Sequence, residues 1–397
     1  MPRLRGVTPD SGSSRAFVAY GPRHGAIERL PLTRTRHAGA DLDTNAVLLR
    51  VDACALSATD GEQWAGHLGA PWPFVPGSEV VGTIEAIGEH ARARLGVRAG
   101  DRVAVAPRRW CGTCAACGRG RIRRCEHFAD APSVGQVRLA ERDGAAALGG
   151  LAEQIVLGPG SQLVAVPPAL DPVVASGANA VAEAIRWMTV LGEVGEGDVV
   201  AVLGPGFRGL AAAAVARDAG ARLVAVIGHG PRDAQRLALA SAFGADLTID
   251  AATTDPVAAL RDATGGGADV VLDITSSSPA AFATAVALAA PEARIVVGGV
   301  HGDHDVAGFR PDDLVVRQLR VVGAIGCANG DHARGVALLH SGRWPFASVP
   351  TAVVGLDRAT VALDSLVPST TRDPSAPIRT VVVPHDDTEH RHDEGRP

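Results

Sequence analysis

The stretch Asp198 to Gly209, DVVAVLGPGFRG, decides how the rest of the chain is read. Val199 to Leu203 is a short β-branched run of the kind a buried parallel strand needs. Gly204, Gly206 and Gly209 follow as G-x-G-x-x-G, and Leu210 to Ala219 (LAAAAVARDA) is strongly helix-forming. A strand, a glycine turn and a helix N-terminus make an anion site. The glycines let backbone approach a pyrophosphate, and the helix end presents unpaired N–H groups. The motif alone is weak, but here it has a strand before it and a helix after it, which points to a dinucleotide. An ordinary strand-to-helix turn would suit Pro205, yet it does not need three glycines at this spacing.

Strands and helices alternate beyond the turn. Arg222 to Gly228, Ala245 to Asp250, Ala268 to Ile274, Ala293 to Gly298 and Leu319 to Ile325 read as further strands, with helices over Pro231 to Phe243 and Pro279 to Ala290. With Val199 to Leu203 they make six strands, the pattern of an α/β doubly wound parallel sheet. The second strand of such a site usually ends in an acid that holds the ribose 2′-OH of NAD. Here Gly228 stands in its place, and Arg232 and Arg236 follow. A missing acid with arginines nearby leans towards NADP, whose 2′-phosphate wants a cation. Plain surface arginines on a helix are the alternative.

The preceding segment reads differently. Arg15 to Tyr20, Ala46 to Val51, Val80 to Gly88 and Asp101 to Ala106 are short strands punctuated by Gly and Pro, as in a compact β-rich, barrel-like domain. Inside it lies CGTCAACGRGRIRRC, with Cys111, Cys114, Cys117 and Cys125. Four thiolates at this spacing close a tetrahedral zinc shell with no open position, so the role expected is structural. Two disulfides are the alternative. Arg119, Arg121, Arg123 and Arg124 make the same loop basic.

The chain has 397 residues, enough for two or three domains, and a net charge of −5 that argues against nucleic acid as a partner. No apolar run approaches the ~20 residues of a membrane span, and the first residues lack the apolar core of a secretory signal. The location expected is cytoplasmic. Residues 1–14 read as a flexible arm, and the polar tail 385–397, with His385, His390 and His392, as disordered. Between them, 15–172 is the β-rich domain, 173–327 the nucleotide domain and 328–384 a return to the first.

Several stretches carry a resemblance: VDACALSATDGEQWAG, PFVPGSEVVGTIEAIGE, GDRVAV, CGTCAACGRG, GPGFRGLAAAAVARDAGA and LALASAFGAD. Together they resemble the medium-chain dehydrogenase/reductase superfamily, in its zinc-containing alcohol dehydrogenase branch. The resemblance implies a GroES-like catalytic domain, a Rossmann domain, a cleft between them, hydride transfer with NAD(P) on a small-molecule substrate, and a homodimer or homotetramer. It assigns Gly204, Gly206, Phe207, Arg208, Gly209, Gly228, Arg232, Arg236, Thr275 and Gly299 to the cofactor, although the family usually has an apolar residue where Arg208 stands.

That branch carries a second, catalytic zinc held by Cys, His, and Cys or Glu. Laid on this chain, the first ligand position falls on Ser57, the second on Ser78 and the third on Gly177. A hydroxyl is neutral at pH 7 and a poor donor, so the catalytic zinc is expected to be absent, with Cys54 and His67 as substitute donors if it is not. Thr59 matches the proton-relaying hydroxyl of the branch. Ser57 and Ser78 become hydrogen-bond donors to a substrate oxygen, and Glu79 and Asp60 match acids that support the metal. Burial of Glu79 would raise its pKa and make it a general acid. The reading is a zinc-free NAD(P)-dependent reductase or dehydrogenase. The alternatives are a zinc alcohol dehydrogenase with an unusual ligand set, or a non-redox cyclase, accessory or binding protein.

Overall fold

The structure is a computed structural model that describes residues 13–32, 44–139, 149–276, 279–301, 305–306, 309–367 and 376–385. The arm expected over 1–14 lies outside them except for Ser13 and Ser14, which open the first strand. The expected tail lies outside them beyond His385, with His390 and His392. The chain forms two compact units, Met1–Ala178 with Thr351–Pro368 and Arg379–Pro397, and Asn179–Pro350 with Ser369–Ile378.

The first unit begins with an antiparallel hairpin of β1 (Ser13–Gly21) and β2 (His24–Pro31). β3 (Val47–Ala55) leads through Ser57 into α1 (Ala58–Ala65). β4 (Glu79–Ile87), α2 (Glu89–Leu95), β5 (Arg102–Val105), the cysteine lobe with its one-turn α3 (Ala115–Gly118), β6 (Gln154–Leu157), β7 (Leu163–Ala165) and α4 (Pro172–Ala175) follow. Asp171 starts α4 by accepting from the amides of Val173 and Val174, and Pro172 fills the position where no N–H is needed. The core holds Phe17, Leu49, Trp64, Ile84, Leu151 and Ile155.

The second unit opens in α5 (Ala178–Arg186) and builds its sheet from β8 (Val199–Leu203), whose residues are all buried. α6 (Phe207–Asp218), β9 (Leu223–Gly228), α7 (Ala234–Ala240), β10 (Leu247–Asp250), α8 (Pro256–Thr264), β11 (Ala268–Asp273), α9 (Pro279–Leu288), β12 (Ala289–Val297), α10 (Asp312–Val316), β13 (Arg320–Gly323) and α11 (Asn329–His340) complete it. The six strands run parallel in the order β10-β9-β8-β11-β12-β13. The order reverses direction beside β8, and this is where an open α/β sheet takes its ligand. The expected doubly wound sheet is therefore present.

The chain then returns to the first unit with β14 (Thr351–Gly355), α12 (Ala359–Asp364) and β15 (Arg379–Val383), giving a seven-stranded sheet ordered β14-β15-β3-β4-β5-β7 with β6 on β3. The return begins at Thr351 rather than at 328. Segment 328–350 packs in the second unit, where Arg186 pairs with Asp331 and Phe243 meets Phe346 edge-on. The helix read as continuous over 231–243 is broken by 3₁₀ turns at Pro231–Asp233 and Ser241–Phe243. No helix among the described residues is long and apolar enough to cross a membrane.

Candidate functional site

The glycine turn joins β8 to α6. Gly204 has φ +105°, a left-handed backbone that side chains resist. A Cβ at Gly209 would lie 2.0 Å from Gly204 O, so the helix crosses the strand end only without a side chain there. Gly206 is the N-cap of α6, so the helix N-terminus, with its first-turn amides and positive dipole end, follows directly on the glycine turn. Phe207 packs edge-on against Phe346, ring centroids 5.7 Å apart. The Arg208 side chain is held sideways, with Nε donating to Glu183 Oε2 at 2.6 Å.

At the end of β9, Gly228 is buried and a Cβ there would sit 2.8 Å from Asp233 Cβ. Asp233 uses both oxygens within the chain: Oδ2 accepts from His229 N at 3.0 Å and Oδ1 from Arg236 Nη1 at 2.8 Å. Arg236 is thus neutralised. Arg232 is exposed and makes no ion pair with a described residue.

Past β11 and β12 the backbones nearly touch. A Cβ at Gly299 would fall 1.8 Å from Thr275 O. Thr275 donates both its amide and its hydroxyl to Asp273 Oδ1, at 3.0 and 2.7 Å. Fully buried Asp273 also meets His301 Nε2 at 3.1 Å through Oδ2. The sequence reading missed this His–Asp pair, because Asp273 ends β11 and His301 follows β12, with nothing in their spacing to join them. It also missed a buried group behind α5: Cys327 Sγ lies 3.4 Å from His332 Nδ1, and His332 Nε2 3.1 Å from Asn179 Oδ1. Burial pushes the Cys327 thiol well up and the His332 imidazole down, so both are neutral.

The first unit carries the residues matched to the metal site. Ser57 caps α1; its hydroxyl and its amide both donate to Asp60 Oδ2, at 2.7 and 2.8 Å. The other Asp60 oxygen accepts from Gly77 N at 3.0 Å. This ties the helix start to the Gly77–Ser78 loop, and both Ser57 and Asp60 are buried. Gly77 has φ +95° and packs on the Cys54 sulfur, which leaves no room for a Cβ. Cys54 is fully buried, and its thiol is pushed well up by burial, then by the charges of Asp60 and Glu79. Glu79 is buried at the start of β4. Arg379, also buried, has its pKa brought down to about 10 by desolvation, with Glu79 acting in the opposite direction. Arg379 Nη2 also donates to Ser176 Oγ at 3.0 Å. Thr59 is exposed on α1, Ser78 is half-buried, and neither side chain is hydrogen-bonded to a described residue. Gly177 is buried between α4 and α5. His67 is 60% exposed and sits 3.0 Å from Glu62 Oε2.

In the lobe, the four sulfurs of Cys111, Cys114, Cys117 and Cys125 lie within 4.8 Å of one another, and those of Cys111 and Cys117 are 3.8 Å apart. Zinc–sulfur bonds of ~2.3 Å in a tetrahedron put sulfurs about 3.8 Å apart, so the geometry fits that ion. The thiol of Cys111 is drawn down to about 5 by the Thr113 hydroxyl and by the amides of Thr113 and Cys114. That of Cys117 is pushed up to about 12 by desolvation and by its sulfur neighbours. A cation would favour ionisation of all four. Among the described residues this is the one cluster of three or more His, Cys, Asp or Glu side chains with ligand atoms in mutual reach.

Known proteins share this architecture. Residues 43–168 match the family described as alcohol dehydrogenase GroES-like domain, and 209–341 the family described as zinc-binding dehydrogenase. A Mycobacterium tuberculosis protein described as "Probable alcohol dehydrogenase adh" is 46% identical over 94% of this chain and 100% of its own length. The L-threonine 3-dehydrogenase of Bacillus velezensis is 31% identical over 79% of this chain and 84% of its own. The solved alcohol dehydrogenase TADH from Thermus sp. ATN1 superposes with a TM-score of 0.75 at 26% identity, over 93% of this chain and 99% of its own.

Proposed function

The chain belongs to the zinc-binding dehydrogenase family with an alcohol-dehydrogenase GroES-like domain and is an NAD(P)-dependent dehydrogenase, and from that premise we propose that it moves hydride to or from a small organic substrate with no metal at the Ser57 position. The observation that carries this reading is the Ser57 hydroxyl, whose proton is committed to Asp60 Oδ2 at 2.7 Å. A neutral hydroxyl held this way is a poor partner for a divalent cation. Gly177 offers no side chain at the third position. Cys54 is fully buried beneath Gly77, and His67 is mostly exposed and sits beside Glu62. These residues do not fit a zinc ion.

The bound nicotinamide supplies or receives the hydride. The chain's part is to hold the substrate and offset the charge that builds on its oxygen. Thr59 and Ser78 carry hydroxyls that no described residue occupies, and we assign them to that oxygen. Glu79 is buried within charge reach of the Arg379 guanidinium, and the role assigned to it is charge balance rather than acid catalysis. A carbonyl or an activated C=C accepts hydride on such a site. The relatives' names make alcohols and ketones the first substrates to try.

NADP is the assigned form, supported by Gly228, by the fully used Asp233 and by exposed Arg232. The four-cysteine lobe is assigned a structural zinc. Edge strand β13 exposes Val321, with Val315, Val316 and Ile325 exposed in the same stretch, and this supports a homo-oligomer.

Metal analysis of the purified protein, alongside NADPH and NADH oxidation with aldehydes, ketones and enones, tests the reading. We expect a single zinc equivalent, lost with Cys111→Ser, and turnover that survives a chelator. A second tightly bound equivalent with chelator-sensitive turnover would overturn the metal-free mechanism.

A further inference from the structure

Asp273 ends β11 and His301 follows the neighbouring β12, at the end of the sheet where the glycine turn follows β8. The Asp273 carboxylate is fully buried, and all its described side-chain partners are at this end: the amide and hydroxyl of Thr275 on one oxygen, His301 Nε2 on the other. The Asp273 carboxylate takes its hydrogen bond from Nε2–H, and in a neutral imidazole that leaves Nδ1 as the acceptor. Nδ1 is buried and has no partner among the described residues, while the side chain as a whole is 14% exposed. Such an orphaned acceptor is costly unless something donates to it.

The strand order says what that donor is. β9, which carries the ribose-reading position Gly228, lies on one side of β8, and β11 and β12 lie on the other. A dinucleotide with its pyrophosphate on the turn and its adenosine over β9 extends its other half over β11 and β12. We propose that His301, oriented by Asp273, is a cofactor-positioning residue whose Nδ1 accepts a hydrogen bond from the nicotinamide–riboside half, from a ribose hydroxyl or the carboxamide N–H. Thr275, held by the same carboxylate, braces the pair. A residue in this role sets the nicotinamide's place without contributing to the adenosine end.

Two substitutions separate this role from a purely structural one. An asparagine amide overlays Nδ1 and a glutamine amide overlays Nε2. His301→Gln therefore keeps the Asp273 contact and loses the acceptor, and His301→Asn does the reverse. Dissociation constants of NADPH, NADH and ADP are measured on the full-length wild type and both variants by titration calorimetry. His301→Gln is expected to weaken the preferred reduced dinucleotide about five- to tenfold, the scale of one lost hydrogen bond. ADP, which lacks the riboside, should bind unchanged, and His301→Asn should stay within about twofold of wild type. A loss with both variants that spares ADP also supports the role. Wild-type binding by His301→Gln, or an equal loss for ADP, would overturn it.

Discussion

Arg208, inside the glycine turn, and Glu183, on α5, form an ion pair in which Nε stands 2.6 Å from Oε2. The pair turns a charge that the sequence left unexplained into a brace between the turn and a neighbouring helix. It is only partly exposed, at 28% and 12% of the two side chains, so water screens it less than a surface pair.

Glu183→Gln removes the countercharge while keeping the shape. The expected cost is about 2 kcal/mol in urea unfolding, since a partly buried guanidinium loses its charged partner. Adding Arg208→Leu should restore part of that loss. A double-mutant cycle with no coupling between the two positions would refute the brace.

Gly209→Ala places a Cβ 2.0 Å from Gly204 O, and the turn must open to admit it. NADPH affinity should fall on the order of tenfold or more, the scale of an overpacked contact of 1–3 kcal/mol. Zinc content should stay as in the wild type, because the lobe belongs to the other unit. Unchanged NADPH binding would show that the turn does not hold the pyrophosphate.

The two arginines after β9 should behave differently. Arg232→Ala is expected to lower NADPH affinity about tenfold and leave NADH alone, because a charge-assisted contact to the 2′-phosphate is lost. Arg236→Ala instead strips Asp233 of a partner 2.8 Å away and should reduce stability by about 1 kcal/mol. Parallel losses of NADH and NADPH in Arg232→Ala would remove the case for NADP.

Acid should weaken the second unit through His332. Its folded pKa lies below the ordinary 6.5, chiefly because it is buried, with Ala328 O, Glu183 and Asp331 acting the other way. Its contribution is therefore fully present above 6.5 and is lost as pH falls, because the unfolded chain takes up the proton first. The slope from this group is at most about 1.4 kcal/mol per pH unit. Urea midpoints measured from about pH 7.5 to 5 should fall in the wild type and fall less in His332→Gln.

The sequence showed the elements that local chemistry dictates. Alternating β-branched runs and alanine-rich segments marked the six parallel strands. Gly204, Gly206 and Gly209 marked the turn, because only a missing Cβ allows that backbone. The spacing of Cys111, Cys114, Cys117 and Cys125 marked the lobe, since thiolates a few residues apart reach one ion without help from distant chain. The segment 328–350 was harder: it read as part of the return to the first domain, because the neighbours it packs on lie far away in the sequence.

By itself, then, the sequence determined the α/β architecture, the glycine turn and the cysteine cluster. Each of these is a matter of residue type and short-range spacing. The tertiary structure alone decided which polar groups share a hydrogen bond. It gave the Ser57 proton to Asp60, Arg208 to Glu183, Arg236 to Asp233, and His301, after β12, to Asp273 at the end of β11. Where the partners come from different elements, sheet order and burial bring them together. Once buried, each must be satisfied by whatever lies within about 3 Å.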